Sequence, residues 1–260
     1  MSQRPIPSRR RTAPGWAVVG VLALLLGWQY LASHSSPLLM ATPLETLQAL
    51  LRLATDAQAR QQAWTTLGRI ATGVSLGCLL GFSLGVLAGL DARLRGLLEP
   101  LRWLLMAIPP VVVVVLAMLW FGLGTRMVVF ISILMLAPGM YVNTVKGMLL
   151  VDRNLTEMVT VYRLSAWQRL RHLYVPALAA PLSSALLIAT CGGVRLIVMA
   201  ELLGAEDGVG YALANARSIL DNAGIYAWAL LVLLWVALLE FALLQPIQRR
   251  LCAWQENGHA

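Results

Sequence analysis

The chain has 260 residues, of which 59% are hydrophobic and only 12% charged, and it carries a net charge of +8. A soluble domain has about a quarter of its residues charged, so this composition excludes an ordinary soluble fold and makes lipid the solvent. The excess of arginine does not describe a nucleic-acid face, which needs a basic surface on a soluble domain; here the arginines stand at the ends of apolar runs.

Residues 1–15 form a basic tail containing Arg9, Arg10 and Arg11. A membrane domain follows over 16–248, and a short tail closes the chain over 249–260. Six apolar segments approach the roughly 20 residues that a crossing needs: Trp16–Ala32, Trp64–Leu90, Leu97–Phe121, Met127–Val145, Ala177–Leu203 and Tyr226–Leu244. The first follows three arginines, as a secretory signal would, but has no convincing small-x-small cleavage site and is expected to be retained. With the N-terminus inside, fourteen basic residues fall on the cytoplasmic side, against Arg52, Arg60, Arg126 and Arg217 outside. That bias predicts both termini in the cytoplasm.

In the second span Gly73, Gly77, Gly81, Gly85 and Gly89 recur every fourth residue. That spacing stacks them on one helix face, where another backbone can approach closely. In the third span Pro109 and Pro110 remove two adjacent backbone donors, which predicts a break or kink. Broken helices at membrane depth often line a cavity, and Pro-kinked spans without that duty are also common.

Between the fourth and fifth spans lies a basic stretch, Asn154 to Leu178. Asn154 and Glu157 have the spacing of a helix N-cap with its acidic partner. Leu155, Met158, Val159 and Tyr162 then fall on one helical stripe. Ser165 and Gln168 repeat the capping pattern, Trp167, Leu170 and Tyr174 continue at helical spacing, and Pro176 marks the start of the fifth span. The stretch reads as two short amphipathic helices, whose apolar stripe fits either the membrane surface or a groove on a cytoplasmic protein.

This stretch resembles the EAA loop of ABC-importer permeases, the membrane subunits of binding-protein-dependent transporters. Glu157 takes the acidic position, Met158 and Val159 the two alanines, and Pro176 the late proline; Arg163 stands where the family has glycine. Ser165, Trp167 and Gln168 are similar to the sulfonate, taurine and nitrate branch. "PLLMATPLETLQAL", "LRWLLMAIPPVVVVVLAMLWFGLGT" and "AELLGAEDGVGYAL" resemble further segments of that branch, so the likeness covers most of Trp16 to Arg250. It implies an all-α inner-membrane permease of about six spans, with a cytoplasmic coupling loop over about 154–176. ATPase coupling would fall to Glu157, Met158, Val159, Val161, Tyr162, Arg163, Leu164 and Ser165. Implied partners are a cytoplasmic ABC ATPase dimer, an extracytoplasmic substrate-binding protein and a second copy of the chain, besides membrane lipid. The implied cargo is a small anionic solute such as a sulfonate, taurine or nitrate, although some relatives carry pyrimidine-type compounds.

No cofactor is expected in this chain. Its only lysine, Lys146, is followed by Gly147 and Met148 rather than the Ser/Thr of a phosphate-binding loop, so ATP and Mg would be used by the partner ATPase. No nucleophile–base constellation or metal-ligand spacing is present: His34, His172 and His259 lie in separate loops, and Cys78, Cys191 and Cys252 form no C-x-x-C pair. An ion-gradient-driven secondary transporter remains the rival; such proteins commonly place acidic residues inside their spans, and here only Glu201 and Glu240 come near. Arg195 lies inside the fifth span, where an arginine must be paired or face water. It either lines the solute pathway, with Glu201, Pro109 and Pro110, or pairs with Glu201 or Glu240. Six residues turn a helix through about 600°, so Arg195 and Glu201 project about 120° apart. Arg69, near one end of the second span, is expected to snorkel to the interface.

Overall fold

The structure, a computed structural model, describes residues 14–36, 40–151, 162, 165, 168 and 175–244. Residues 1–13 of the first tail, all of the second, and all of the 154–176 stretch but its last two residues and Tyr162, Ser165 and Gln168, lie outside the described residues. All regular structure among the described residues is helical: α1 (Pro14–His34), α2 (Pro43–Thr55), α3 (Ala57–Leu90), α4 (Ala92–Ala107), α5 (Pro110–Phe121), α6 (Thr125–Leu149), α7 (Val175–Gly204), α8 (Val209–Ser218) and α9 (Asn222–Leu238), which runs on into a π-helical turn, Leu239–Leu244.

Four helices are long and apolar enough to cross a bilayer: Ala57–Leu90, Thr125–Leu149, Pro181–Gly204 and Asn222–Phe241. The expected first span lies in α1, where the apolar stretch Val18–His34 is shorter. The indole N–H of Trp28 donates to the Ala41 carbonyl at 3.0 Å, and its ring packs 5.7 Å from that of Tyr226, which ties α1 to α9.

The third expected span is not one helix. Ile108 and Pro109 both adopt extended backbone (ψ 127° and 134°), and α4 and α5 meet at a bend of 100°. Each of these residues precedes a proline, which disfavours the helical conformation. Pro110 then occupies the first turn of α5, where its missing N–H costs nothing. Pro138, alone inside α6, leaves that helix continuous.

α3 begins seven residues before the expected Trp64, because hydropathy marks apolar length while helix initiation follows capping. The Asp56 carboxylate accepts from the Gln58 and Ala59 N–H groups, both at 3.2 Å. Asp91 ends α3 and caps α4, accepting from the Arg93 N–H at 2.8 Å.

α3 and α6 run parallel and touch along the whole glycine row. A Cβ placed on Gly73 would stand 2.7 Å from the Ser132 Cβ, on Gly77 3.1 Å from the Leu136 Cβ, and on Gly85 2.6 Å from the Thr144 Cβ. Gly81 lies against the Ala137 carbonyl and Gly89 against the Met148 sulfur. α7 runs antiparallel to both, with Gly193 against Val74 and Leu136, and Gly204 against Met127. Because α3 and α6 are parallel, the end of one and the start of the other lie at opposite ends of the bundle. The bent α4–α5 pair carries the chain back between them, so it counts as one broken crossing. The same geometry places the end of α6 and the start of α7 at the end of the bundle where α3 meets α4.

Candidate functional site

At the opposite end of the bundle, the ends of α3, α6 and α7 are joined by a buried polar network. Arg69 and Glu201 are 2% and 0% exposed. The Arg69 guanidinium donates to the Glu201 carboxylate at 2.8 Å, to the Asp207 carbonyl at 2.9 Å, to the Asp207 carboxylate, and through Nε and Nη2 to the Thr125 hydroxyl at 3.1 and 2.7 Å. These five contacts account for all five of its N–H donors. The Glu201 carboxylate also accepts from the Thr66 hydroxyl (2.9 and 2.8 Å) and the Gly210 N–H (3.0 Å).

α8 starts on this network. Its first N–H groups have no partners within their own helix, and three are taken by side chains from elsewhere: Gly208 by the Gln62 amide oxygen, Val209 by the Thr66 hydroxyl at 2.8 Å, and Gly210 by Glu201. A carboxylate at a helix N-terminus is also favoured by the aligned backbone dipoles. Gly208, at φ +100°, has no room for a side chain, since a Cβ there would stand 2.5 Å from the Glu201 carboxylate.

This arrangement corrects two expectations. Arg69 does not snorkel to the interface; it is the buried partner of Glu201. Glu201 therefore does not pair with Arg195, and in the single chain it is enclosed rather than open to a pathway. The sequence held a signal for Arg69 that hydropathy hides: it stands four residues before Gly73, in line with the glycine row that packs on α6.

Arg195 is exposed, and its side chain makes no hydrogen bond or ion pair among the described residues. It and Glu240 both lie within electrostatic range of Cys191. It shares an exposed stripe of α7 with Ile188, Gly192 and Leu203. Gly192, Ile188 and the neighbouring Leu196 wall an open groove of about 410 Å³ that also takes in Pro110, Met140 and Asn143. The structure thus brings Pro110, at the break, and the Arg195 face of α7 to one groove, while Glu201 stays in the network beyond it. An arginine on a membrane helix is costly against hydrocarbon, so this face meets water or another protein.

Of the residues expected to couple to an ATPase, Glu157, Met158, Val159, Val161, Arg163 and Leu164 lie outside the described residues. Tyr162 is 71% exposed. The Ser165 N–H donates to the Gln168 amide oxygen at 2.9 Å, and the Gln168 N–H to the Ser165 hydroxyl at 3.3 Å, a reciprocal capping pair.

Comparison with known proteins gives one consistent answer. Residues 77–251 match the family described as binding-protein-dependent transport system inner membrane component. The chain is similar to the taurine transport system permease protein of Escherichia coli (strain K12), 29% identical over 91% of this chain and 88% of that protein. It is similar to the putative aliphatic sulfonates transport permease protein of Bacillus subtilis (strain 168), 28% identical over 98% and 92% of the two chains. Its fold is that of a chain in inward-facing structures of the MetNI methionine ABC transporter, with a TM-score of 0.66, 20% identity, and coverage of 82% of this chain and 99% of that one.

Proposed function

The chain belongs to the family of binding-protein-dependent transport system inner membrane components, and on that premise we propose that its cargo is a small anion of the sulfonate, taurine or nitrate kind. It is the permease subunit of an ABC importer and a multi-pass inner-membrane protein. Two copies of the chain flank the pathway. A cytoplasmic ABC ATPase dimer, which uses ATP and Mg, receives the 154–176 hairpin, and an extracytoplasmic binding protein delivers the solute. Both termini and the hairpin are cytoplasmic, so the Arg69–Glu201 network lies at the outward end.

The observation that carries the anionic cargo is the exposed Arg195, whose side chain has no partner among the described residues, on the groove-side face of α7. Facing a water-filled pathway between two copies, it supplies positive potential where a desolvated anion must pass, and its copy doubles that potential. Apolar walls raise its effect by lowering the local dielectric.

The test is to co-purify the tagged chain with its ATPase and binding protein, reconstitute them in liposomes, and follow ATP-driven uptake of taurine, alkanesulfonates and nitrate. Arg195→Gln is expected to cut uptake about tenfold or more, as loss of a charge-assisted contact of roughly 1.5–3 kcal/mol would, with the complex still assembled. Unchanged uptake, or a complex that falls apart, would remove Arg195 from the pathway. Uptake of pyrimidine-type solutes alone would overturn the anionic reading.

A further inference from the structure

The α4 arm leaves another groove, of about 330 Å³, against α3 and α6. Its walls are apolar, among them Leu84, Leu98, Leu105 and Ile133, and its polar side chains are Arg102 and Tyr141. Tyr141 is 6% exposed, and its hydroxyl has no hydrogen-bond partner among the described residues. A hydroxyl at that depth ordinarily has one. Glu99, Arg102 and Arg95 stand in electrostatic range of it. Arg102 is held by Glu99, through Nε at 3.1 Å and through Nη2. The Arg95 side chain makes no hydrogen bond or ion pair among the described residues, and Asp91 is engaged in capping α4. The outer surface of the same helix is oily, with Leu97 and Trp103 72% and 67% exposed.

We propose that this groove binds an acidic phospholipid, with an acyl chain along its apolar wall, the phosphate at Arg95, and a headgroup or ester oxygen accepting from the Tyr141 hydroxyl. A groove that continues an exposed apolar helix face inside a membrane is filled by lipid tails. The choice of headgroup follows from charge: Arg93, Arg95 and Arg102 outnumber Asp91 and Glu99 by one, and of the two arginines whose side chains have no partner among the described residues, Arg95 stands one turn before Leu98 on the lined face of α4 and in electrostatic range of the orphan hydroxyl. Basic pockets between membrane helices select acidic headgroups in this way. The bound lipid would brace α4 against α6 beside the end of the bundle where α6 ends.

Native mass spectrometry of the purified full-length chain, offered equal phosphatidylglycerol and phosphatidylcholine with matched acyl chains, tests this. Phosphatidylglycerol is expected to be retained about fivefold over phosphatidylcholine, the preference that one basic side chain gives. Arg95→Gln should bring the ratio close to one, Tyr141→Phe should lower it, and Leu101→Trp, which fills the groove, should reduce retention of both lipids. Size exclusion confirms that each variant stays folded. Equal retention of the two lipids by the native chain, or a preference that survives Arg95→Gln, overturns the proposal. So does a disulfide from Leu101→Cys to a second protein chain, because that would place protein in the groove.

Discussion

Arg69 spends every donor it has on groups from α6, α7 and the segment leading into α8, which makes it the residue on which that end of the bundle turns. Removing one member of a buried ion pair leaves the other charge uncompensated and costs about 3–5 kcal/mol. Arg69→Met is therefore expected to lower the unfolding temperature of the detergent-solubilised chain sharply, followed by the fluorescence of its nine tryptophans. Thr66→Val, which strands one N–H and removes one donor to Glu201, should cost less, about 1–3 kcal/mol. The double change Arg69→Met with Glu201→Leu should recover a large part of the Arg69→Met loss, because no unpaired charge remains. If Arg69→Met melted like the native chain, the pair would hold nothing together. Glu201 was legible in the sequence as an acidic residue in an apolar span, but its partner was not. The two are separated by 132 positions, and single-sequence hydropathy carries no information across that distance.

Between elements, the glycine row decides how closely α3 and α6 approach. Adding one methyl at Gly81 drives a Cβ into the Ala137 carbonyl, backbone that cannot rotate away. Gly81→Ala is expected to destabilise by about 1–3 kcal/mol, the usual range for overpacking. Gly68→Ala, where nothing lies within 4 Å, should be neutral or slightly stabilising. Thermal unfolding of the two variants side by side checks this, and equal effects would remove the close approach as the cause. The Pro109–Pro110 break was legible because both prolines act on their own backbone. The 100° angle was not, since it depends on where α3 and α6 hold the two arms. The cap of α2 is legible in the same local way. The Thr42 N–H donates to the Glu45 carboxylate at 2.8 Å, and hydrogen bonding to Thr42 holds that carboxyl below its ordinary value. The cap's contribution is therefore complete above the ordinary glutamate range and disappears as pH falls through the lowered value. Amide exchange in the first turn of α2 is expected to quicken in acid, and Glu45→Gln, whose amide can still accept, should abolish that dependence.

At the scale of the whole molecule, the parallel pairing of α3 and α6 separates a buried polar network at one end from the end of α6 and the start of α7 at the other. The all-helical membrane class was legible from composition and apolar length. The relative direction of the helices was not, because it is set by which faces meet rather than by any one segment. That separation gives the proposed coupling role of the 154–176 stretch a sharp test. The apolar stripe that includes Met158 and Val159 is proposed to enter a cleft on the ATPase, while the core that stabilises the bundle is built from α3, α5, α6, α7 and α9. Val159→Asp should therefore reduce ATPase co-purification about tenfold or more, since a carboxylate buried without a partner costs several kcal/mol, while the melting temperature of the isolated chain stays at the native value. Arg163→Gly, which restores the residue typical of the family, should retain the ATPase. If Val159→Asp kept its ATPase, the stripe would belong on the membrane surface, and vesicle binding by the hairpin peptide would then fall with the same substitution.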